Sequence, residues 1–190
     1  MKWILASGSP RRRDILTDLG CTFEIVTADT DETCTAVDPA EIVCTLAKRK
    51  AEAVAKKIGT RSDERLIIAA DTLVACDGKV LGKPIDRDDA AAMLRMLSGR
   101  THEVYSGVSL ILGDRAQTAF ECTKVTFDEM TDKDIARYID SGEPMDKAGA
   151  YAVQGKAAAY IRGIDGCYFN VVGLPVHRLY GMLQEWGLSF

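Results

Sequence analysis

The chain is short of the residues on which most metal, redox and transfer motifs depend. It has two histidines, His102 and His177, far apart, and six cysteines at positions 21, 34, 44, 76, 122 and 167, with no Cys-x-x-Cys pair. Zinc sites and disulfide frameworks are therefore unsupported, and reduced thiols in a cytoplasm are the expectation. Positive charge is in deficit as well: 24 Lys and Arg stand against 28 Asp and Glu, a net −4. That balance excludes a bulk nucleic-acid binder held by phosphate contacts. No run approaches the roughly 20 apolar residues that span a bilayer. The apolar start ends at Ala6, before Ser7-Gly8-Ser9-Pro10, which is too short for a signal-peptide core. Neither a membrane nor export is expected. Gly-x-Ser-x-Gly, His-Glu-x-x-His and Gly-x-Gly-x-x-Gly are missing, which counts against serine hydrolases, zinc proteases and dinucleotide enzymes. Repeats, low-complexity tracts and linkers are missing too, so residues 1–190 are expected to form one domain.

What remains is an ordinary globular composition, 47% hydrophobic and 27% charged. Trp3–Ala6 reads as a buried strand, followed by a helix from Pro10 with Ser9 as its cap and Ile15, Leu16 and Leu19 inward. Phe23–Val26 is extended. Asp38-Pro39-Ala40-Glu41 is a capping box that starts a helix to about Lys57. Leu66–Ala70 reads as a central strand, and Leu73–Cys76 and Val80-Leu81 flank an Asp77-Gly78 hairpin turn. A helix from Asp86 to Leu97 precedes two long strands, Val104–Leu112 and Ala116–Phe127. Then come a helix from Thr131 to Ile139, a loop from Gly142 to Gly155, a strand, a Gly163–Gly166 turn and a second strand. A helix from Pro175 to Trp186 closes the chain. This order predicts an α/β fold around a mixed, partly antiparallel twisted sheet.

Three features carry chemistry. Ser7-Gly8-Ser9-Pro10-Arg11-Arg12-Arg13 places a small-residue loop and three arginines at a helix start, where free backbone N–H groups and the positive dipole end converge. Arginines there have the wrong sign for the dipole, and a bound anion would reverse the penalty. The alternative is a solvated basic turn. Asp71 follows the apolar run Leu66–Ala70, and a carboxylate at the end of a buried strand must be paired, hydrogen-bonded or metal-bound. It suits Mg²⁺ binding or proton acceptance, against a purely structural role. Gly78–Lys83 falls one residue short of a P-loop, so Lys83 alone reads as a hairpin lysine. Asp31-Glu32 gains interest only as a second carboxylate source, and Lys50 lies in a basic helix face.

These residues fall in an order that resembles the Maf family of nucleoside triphosphate pyrophosphatases. The matching pieces are Leu5–Arg12, Asp31–Thr33, Leu46-Ala47 with Lys50-Ala51, Ala70–Thr72, Gly82–Pro84, Leu97–Gly99 with His102, Glu143–Tyr151 with Gln154-Gly155, and Gly173–Pro175. The likeness is to the subfamily acting on dTTP and UTP. The 7-methyl-GTP subfamily carries Trp at the position of Arg11, Ser-Asp-Gln for Ala70–Thr72 and Glu at the position of Gln154. The resemblance implies that Asp71 is catalytic, that Arg11, Thr72 and Gln154 select the substrate, and that Arg12, Glu32, Lys50 and Lys83 line the pocket. Ser7, Arg12, Lys50 and Lys83 are then expected on the phosphates, and Glu32 with Asp71 on Mg²⁺ or Mn²⁺. A cleft between two lobes of one domain, a homodimer and a cytoplasmic location complete the expectation. A nucleotide-sensing regulator of cell division that binds without turnover is the alternative. Ala152 departs from a common glycine before Val153-Gln154.

Overall fold

The computed structural model describes residues 1–59 and 64–190. Its elements run β1 Lys2–Leu5, α1 Pro10–Asp18, β2 Phe23–Ile25, α2 Pro39–Lys57, β3 Arg65–Cys76, β4 Lys79–Leu81, α3 Arg87–Leu97, β5 Thr101–Leu112, β6 Arg115–Phe127, α4 Asp132–Asp140, β7 Ile161–Asp165, α5 Tyr168–Val172 and α6 Val176–Glu185. The strands form one sheet in the order β2-β1-β3-β5-β6-β7, with β4 also on β3. β1 is parallel to β2 and β3, whereas β4 and β7 are antiparallel to β3 and β6. The sheet is mixed, and the α/β expectation holds.

The chain divides into two compact units. Unit 1 comprises Met1–Asp71, Ser106–Glu121 and Gly173–Phe190, and unit 2 comprises Thr72–Tyr105 and Cys122–Val172. Unit 1 is built on β1 and the first half of β3. Leu66 to Ala70 are all buried, as a strand covered on both faces requires. α2 lies on this region through one apolar stripe, Val43, Leu46, Ala47, Ala51, Val54 and Ala55, and its small residues bring the helix close. Gly107 of β5 takes that closeness furthest. A Cβ there would overlap the Val43 carbonyl oxygen and stand 2.5 Å from its carbon and 2.9 Å from the Cys44 nitrogen. Asp38 caps α2 by accepting the Ala40 N–H at 3.1 Å, with Pro39 in the first turn.

In unit 2, α3 is capped by Asp86, which accepts from the Asp89 N–H, and buries Ala90, Met93, Leu94 and Leu97. α4 opens with a full capping box between Thr131 and Asp134. His102, Phe127 and Tyr151 form a buried edge-to-face cluster with centroids 4.9 to 5.3 Å apart.

The structure departs from the sequence expectations in several places. Residues 163–165 of the expected turn lie in β7 Ile161–Asp165, and the strand expected before that turn is a 3₁₀ turn at Lys156–Tyr160. β3 does not end at Ala70 but runs through Asp71 to Cys76, because β1 stops pairing with it at Ile68 and β4 takes up Val74 to Cys76. Asp71 therefore sits where the strand changes partners rather than at its carboxyl end. The stretch from Gly142 to Gly155 is not a plain loop: it holds 3₁₀ turns at Glu143–Asp146 and Ala148–Ala150. The second strand expected after Gly166 is the short helix α5. Its strand-forming residues Tyr168 and Phe169 are overridden by Asn170, which is buried and donates to the Val104 carbonyl and to Thr123 Oγ1, both at 2.9 Å. Ser9 occupies the N-cap of α1 but its side chain makes no cap bond.

Candidate functional site

In unit 1 the loop after β1 is organised by Ser7 rather than Ser9. The buried Ser7 Oγ accepts the Ser9 N–H at 3.2 Å and Arg12 Nη1 at 3.0 Å, while Arg12 Nε donates to the Gly173 carbonyl at 2.8 Å. The guanidinium is thus held in place by two fixed acceptors. Burial lowers the Arg12 pKa from its ordinary value. The negative charge of Asp71 opposes that shift, Arg11 adds to it, and Glu32 opposes it again. The first turn of α1 contains no acidic residue, so its positive end carries Arg11 to Arg13, of which Arg13 pairs with Asp14.

Lys50 organises the other half. Asp71 follows five buried apolar residues in β3, and a carboxylate in that setting needs a partner. α2 supplies it: Lys50 Nζ lies 2.6 Å from Asp71 Oδ1 and 2.8 Å from Glu32 Oε1. The Lys50 and Asp71 side chains are 19% and 15% exposed, whereas Glu32 is 66% exposed. One ammonium therefore bridges an inner, fixed carboxylate and an outer, solvated one. Glu32 is presented by the segment before α2, which Arg49 braces through the Asp31 and Thr33 carbonyls.

Ser7, Arg11, Arg12, Glu32, Lys50 and Asp71 all belong to unit 1, and the charges of Asp71, Arg11 and Glu32 are felt at Arg12. Thr72, Lys83 and Gln154 belong to unit 2. Thr72 is half-buried and next in β3. Lys83 is exposed in the turn after β4, where the Gly82 carbonyl accepts the Gly149 N–H at 3.0 Å. Gln154 is exposed in the turn after Tyr151. The acceptors of Arg12 escaped the sequence reading. The Gly173 carbonyl lies 161 residues away, and the only hint was its place in a matching motif.

Two carboxylates around one cation, beside an arginine and a free helix start, suit a polyanion that travels with a divalent metal. Among the described residues no group of three or more His, Cys, Asp or Glu forms a metal cage. Two hard oxygen donors with the remainder left to phosphate and water is how Mg²⁺ is commonly held, so the donor set fits such an ion. Fold and site thus define an α/β protein with a centre suited to nucleotide-like phosphates.

The chain belongs to the Maf family: the model of the Maf-like protein family matches residues 2–186. It is 53% identical over 189 residues to a dTTP/UTP pyrophosphatase of Carboxydothermus hydrogenoformans, covering 98% of this chain and 100% of that one. A protein of the same description from Pelotomaculum thermopropionicum is also 53% identical, covering 98% and 97%. One from Bacillus anthracis is 44% identical, covering 99% and 97%. The Staphylococcus aureus Ham1 protein structure matches 98% of this chain and 100% of that one, with a TM-score of 0.52 and 13% identity, a likeness of fold alone. Among the described residues no helix is long and apolar enough to cross a membrane.

Proposed function

We propose that this chain hydrolyses dTTP and UTP to the nucleoside monophosphate and pyrophosphate. The observation that carries it is the Asp71–Lys50–Glu32 bridge beside the tethered Arg12, together with relatives named dTTP/UTP pyrophosphatase. Arg12 and the backbone N–H groups of Ser7 and Gly8 bind phosphate oxygens, and Arg11 adds charge where negative charge grows. Lys50 and Lys83 serve the outer phosphates. Asp71 takes the proton of the attacking water as its oxygen bonds to the α-phosphorus and the bond to the β-phosphate bridge breaks. Glu32 and Asp71 would hold Mg²⁺ or Mn²⁺, which when bound neutralises the triphosphate and polarises its oxygens.

Base choice we assign to Thr72 and Gln154. An amide offers both a donor and an acceptor, matching the imide face of uracil and thymine, and a mismatched base leaves polar groups unpaired. Residues 1–190 act as one domain in this account, as a homodimer in the cytoplasm. The test is pyrophosphate release by Asp71→Asn and Gln154→Glu. Asp71→Asn is expected to lose at least about 100-fold in kcat, and Gln154→Glu to change the ranking of bases. Full activity in the first removes Asp71 as the base, and an unchanged ranking in the second removes the amide from recognition.

A further inference from the structure

Gln154 is an exposed side chain on a short turn, yet the backbone on both sides of it is tied to one hydrogen-bonded pair in unit 2. Tyr138, buried on the inner face of α4, accepts the Ala152 N–H on its Oη at 3.1 Å and donates to Glu143 Oε1 at 2.8 Å. The Glu143 carboxylate in turn receives the Lys156 N–H, 3.0 Å from Oε1 and 3.1 Å from Oε2. Between these anchors the Gly155 N–H closes onto the Ala152 carbonyl at 3.1 Å. A Cβ on Gly155 would overlap the Glu143 carboxylate, so the acid lies flat against the turn and would have to swing away to admit a side chain at position 155. On the N-terminal side, the buried Tyr151 is itself fixed by its hydroxyl, 2.8 Å from His102 Nε2. Burial, reinforced by Glu143, keeps the Tyr138 phenol protonated, and the backbone N–H of Ala152 opposes the shift without reversing it.

We propose that Tyr138 and Glu143 are positioning residues for base selection, clamping the turn 152–156 so that the Gln154 amide is presented to the base from one fixed backbone position. The inference rests on the assignment of Gln154 to the base. Its physical basis is that an amide selects an imide edge only when its backbone places it within hydrogen-bond reach of that edge, so a turn that shifts loses the selection. Without the clamp the turn keeps the Gly155–Ala152 bond and the Ala158 N–H on the Gly155 carbonyl, but Gln154 loses the anchors on either side of it.

The experiment compares dTTP and CTP turnover in the full chain for Gln154→Ala, Tyr138→Phe, Glu143→Ala and the double variant Tyr138→Phe/Gln154→Ala. Binding of inorganic tripolyphosphate, which has no base, is measured alongside. Tyr138→Phe and Glu143→Ala are each expected to lower the dTTP-over-CTP ratio of kcat/KM by about tenfold, the scale of one misplaced hydrogen bond. Tripolyphosphate affinity is expected to stay within about twofold of wild type, and the double variant to discriminate no worse than Gln154→Ala. Glu143→Gln, which keeps the shape and one acceptor oxygen, is expected to lose less than Glu143→Ala, and it carries the test if Tyr138→Phe does not fold. If Gln154→Ala lowers the ratio while the clamp variants leave it intact, the clamp is wrong and the Gln154 assignment stands. If Gln154→Ala leaves the ratio intact, the Gln154 assignment falls and takes the clamp with it. A further loss in the double variant, or a loss of tripolyphosphate binding in the clamp variants, overturns the proposal in favour of a general structural role.

Discussion

Gly107→Ala is the substitution for which the structure gives the clearest magnitude. The new Cβ would lie 2.5 Å from the Val43 carbonyl carbon, where carbon atoms sit about 3.5 Å apart at rest. α2 or β5 must therefore give by about 1 Å, and the obstacle is helix backbone that no side-chain rotation can clear. Overpacking of this kind costs about 1–3 kcal/mol. The displaced helix also carries Lys50, two turns beyond Val43, whose Nζ is set at 2.6 and 2.8 Å from its two carboxylates. A shift of about 1 Å at a catalytic centre can cost about 100-fold in rate. Urea unfolding and dTTP turnover on the same preparation are expected to show both losses. Gly181 in α6 is the control. Nothing lies within 4 Å of a Cβ there, so Gly181→Ala is expected to stabilise by about 0.5–1 kcal/mol with turnover unchanged. If Gly107→Ala unfolds with the wild-type midpoint and keeps full activity, the tight seating of α2 on β5 and its link to Lys50 are both refuted.

Two further outcomes are expected. Lys50→Met leaves the mostly buried Asp71 carboxylate without its ammonium, and is expected to cost about 1–3 kcal/mol, less than a fully buried pair because Glu32 remains solvated. It should also lose most pyrophosphate release; wild-type turnover would show that Lys50 is dispensable at the site. Burial of His102 lowers its pKa from 6.5 to about 4. The unfolded chain therefore takes up a proton below about pH 6.5 that the folded chain refuses until about pH 4, and stability falls as pH drops through that window. The difference amounts to about 3 kcal/mol. Urea midpoints from pH 7.5 to 4.5 are expected to show this slope and His102→Leu to lose that part of it; identical slopes would mean that His102 titrates normally when folded.

The sequence made most of the fold legible because its signals were local. Asp38-Pro39 started α2, Asp77-Gly78 turned β3 into β4, and Thr131 with Asp134 opened α4, each by chemistry contained in a few residues. Where partners distant in the chain decide the outcome, local patterning failed. β3 continues past Asp71 because β4 replaces β1 beside it. Residues 168–172 coil because Asn170 finds Val104 and Thr123. The site divides in the same way. Arg12 and Asp71 were legible as costly charges needing a reason, whereas Lys50 read as part of a solvated basic helix face and gained a role only through the family resemblance. Their actual partners were not legible, since the Gly173 carbonyl reaches Arg12 from the far end of the chain, and Lys50 meets Asp71 only once α2 lies on β3. Tyr138 gave no signal at all, being an apolar-face residue of an ordinary amphipathic helix until Ala152 and Glu143 reach its hydroxyl.

The Asp71–Lys50–Glu32 bridge is the proposed site of pyrimidine triphosphate hydrolysis. Its most direct test is pyrophosphate release from dTTP, UTP, CTP, ATP, GTP and 7-methyl-GTP in the presence of Mg²⁺ or Mn²⁺. Rapid release from dTTP and UTP, little from the purine nucleotides, and loss of release on chelation are expected. Preference for 7-methyl-GTP, or tight nucleotide binding with no pyrophosphate formed, would contradict it.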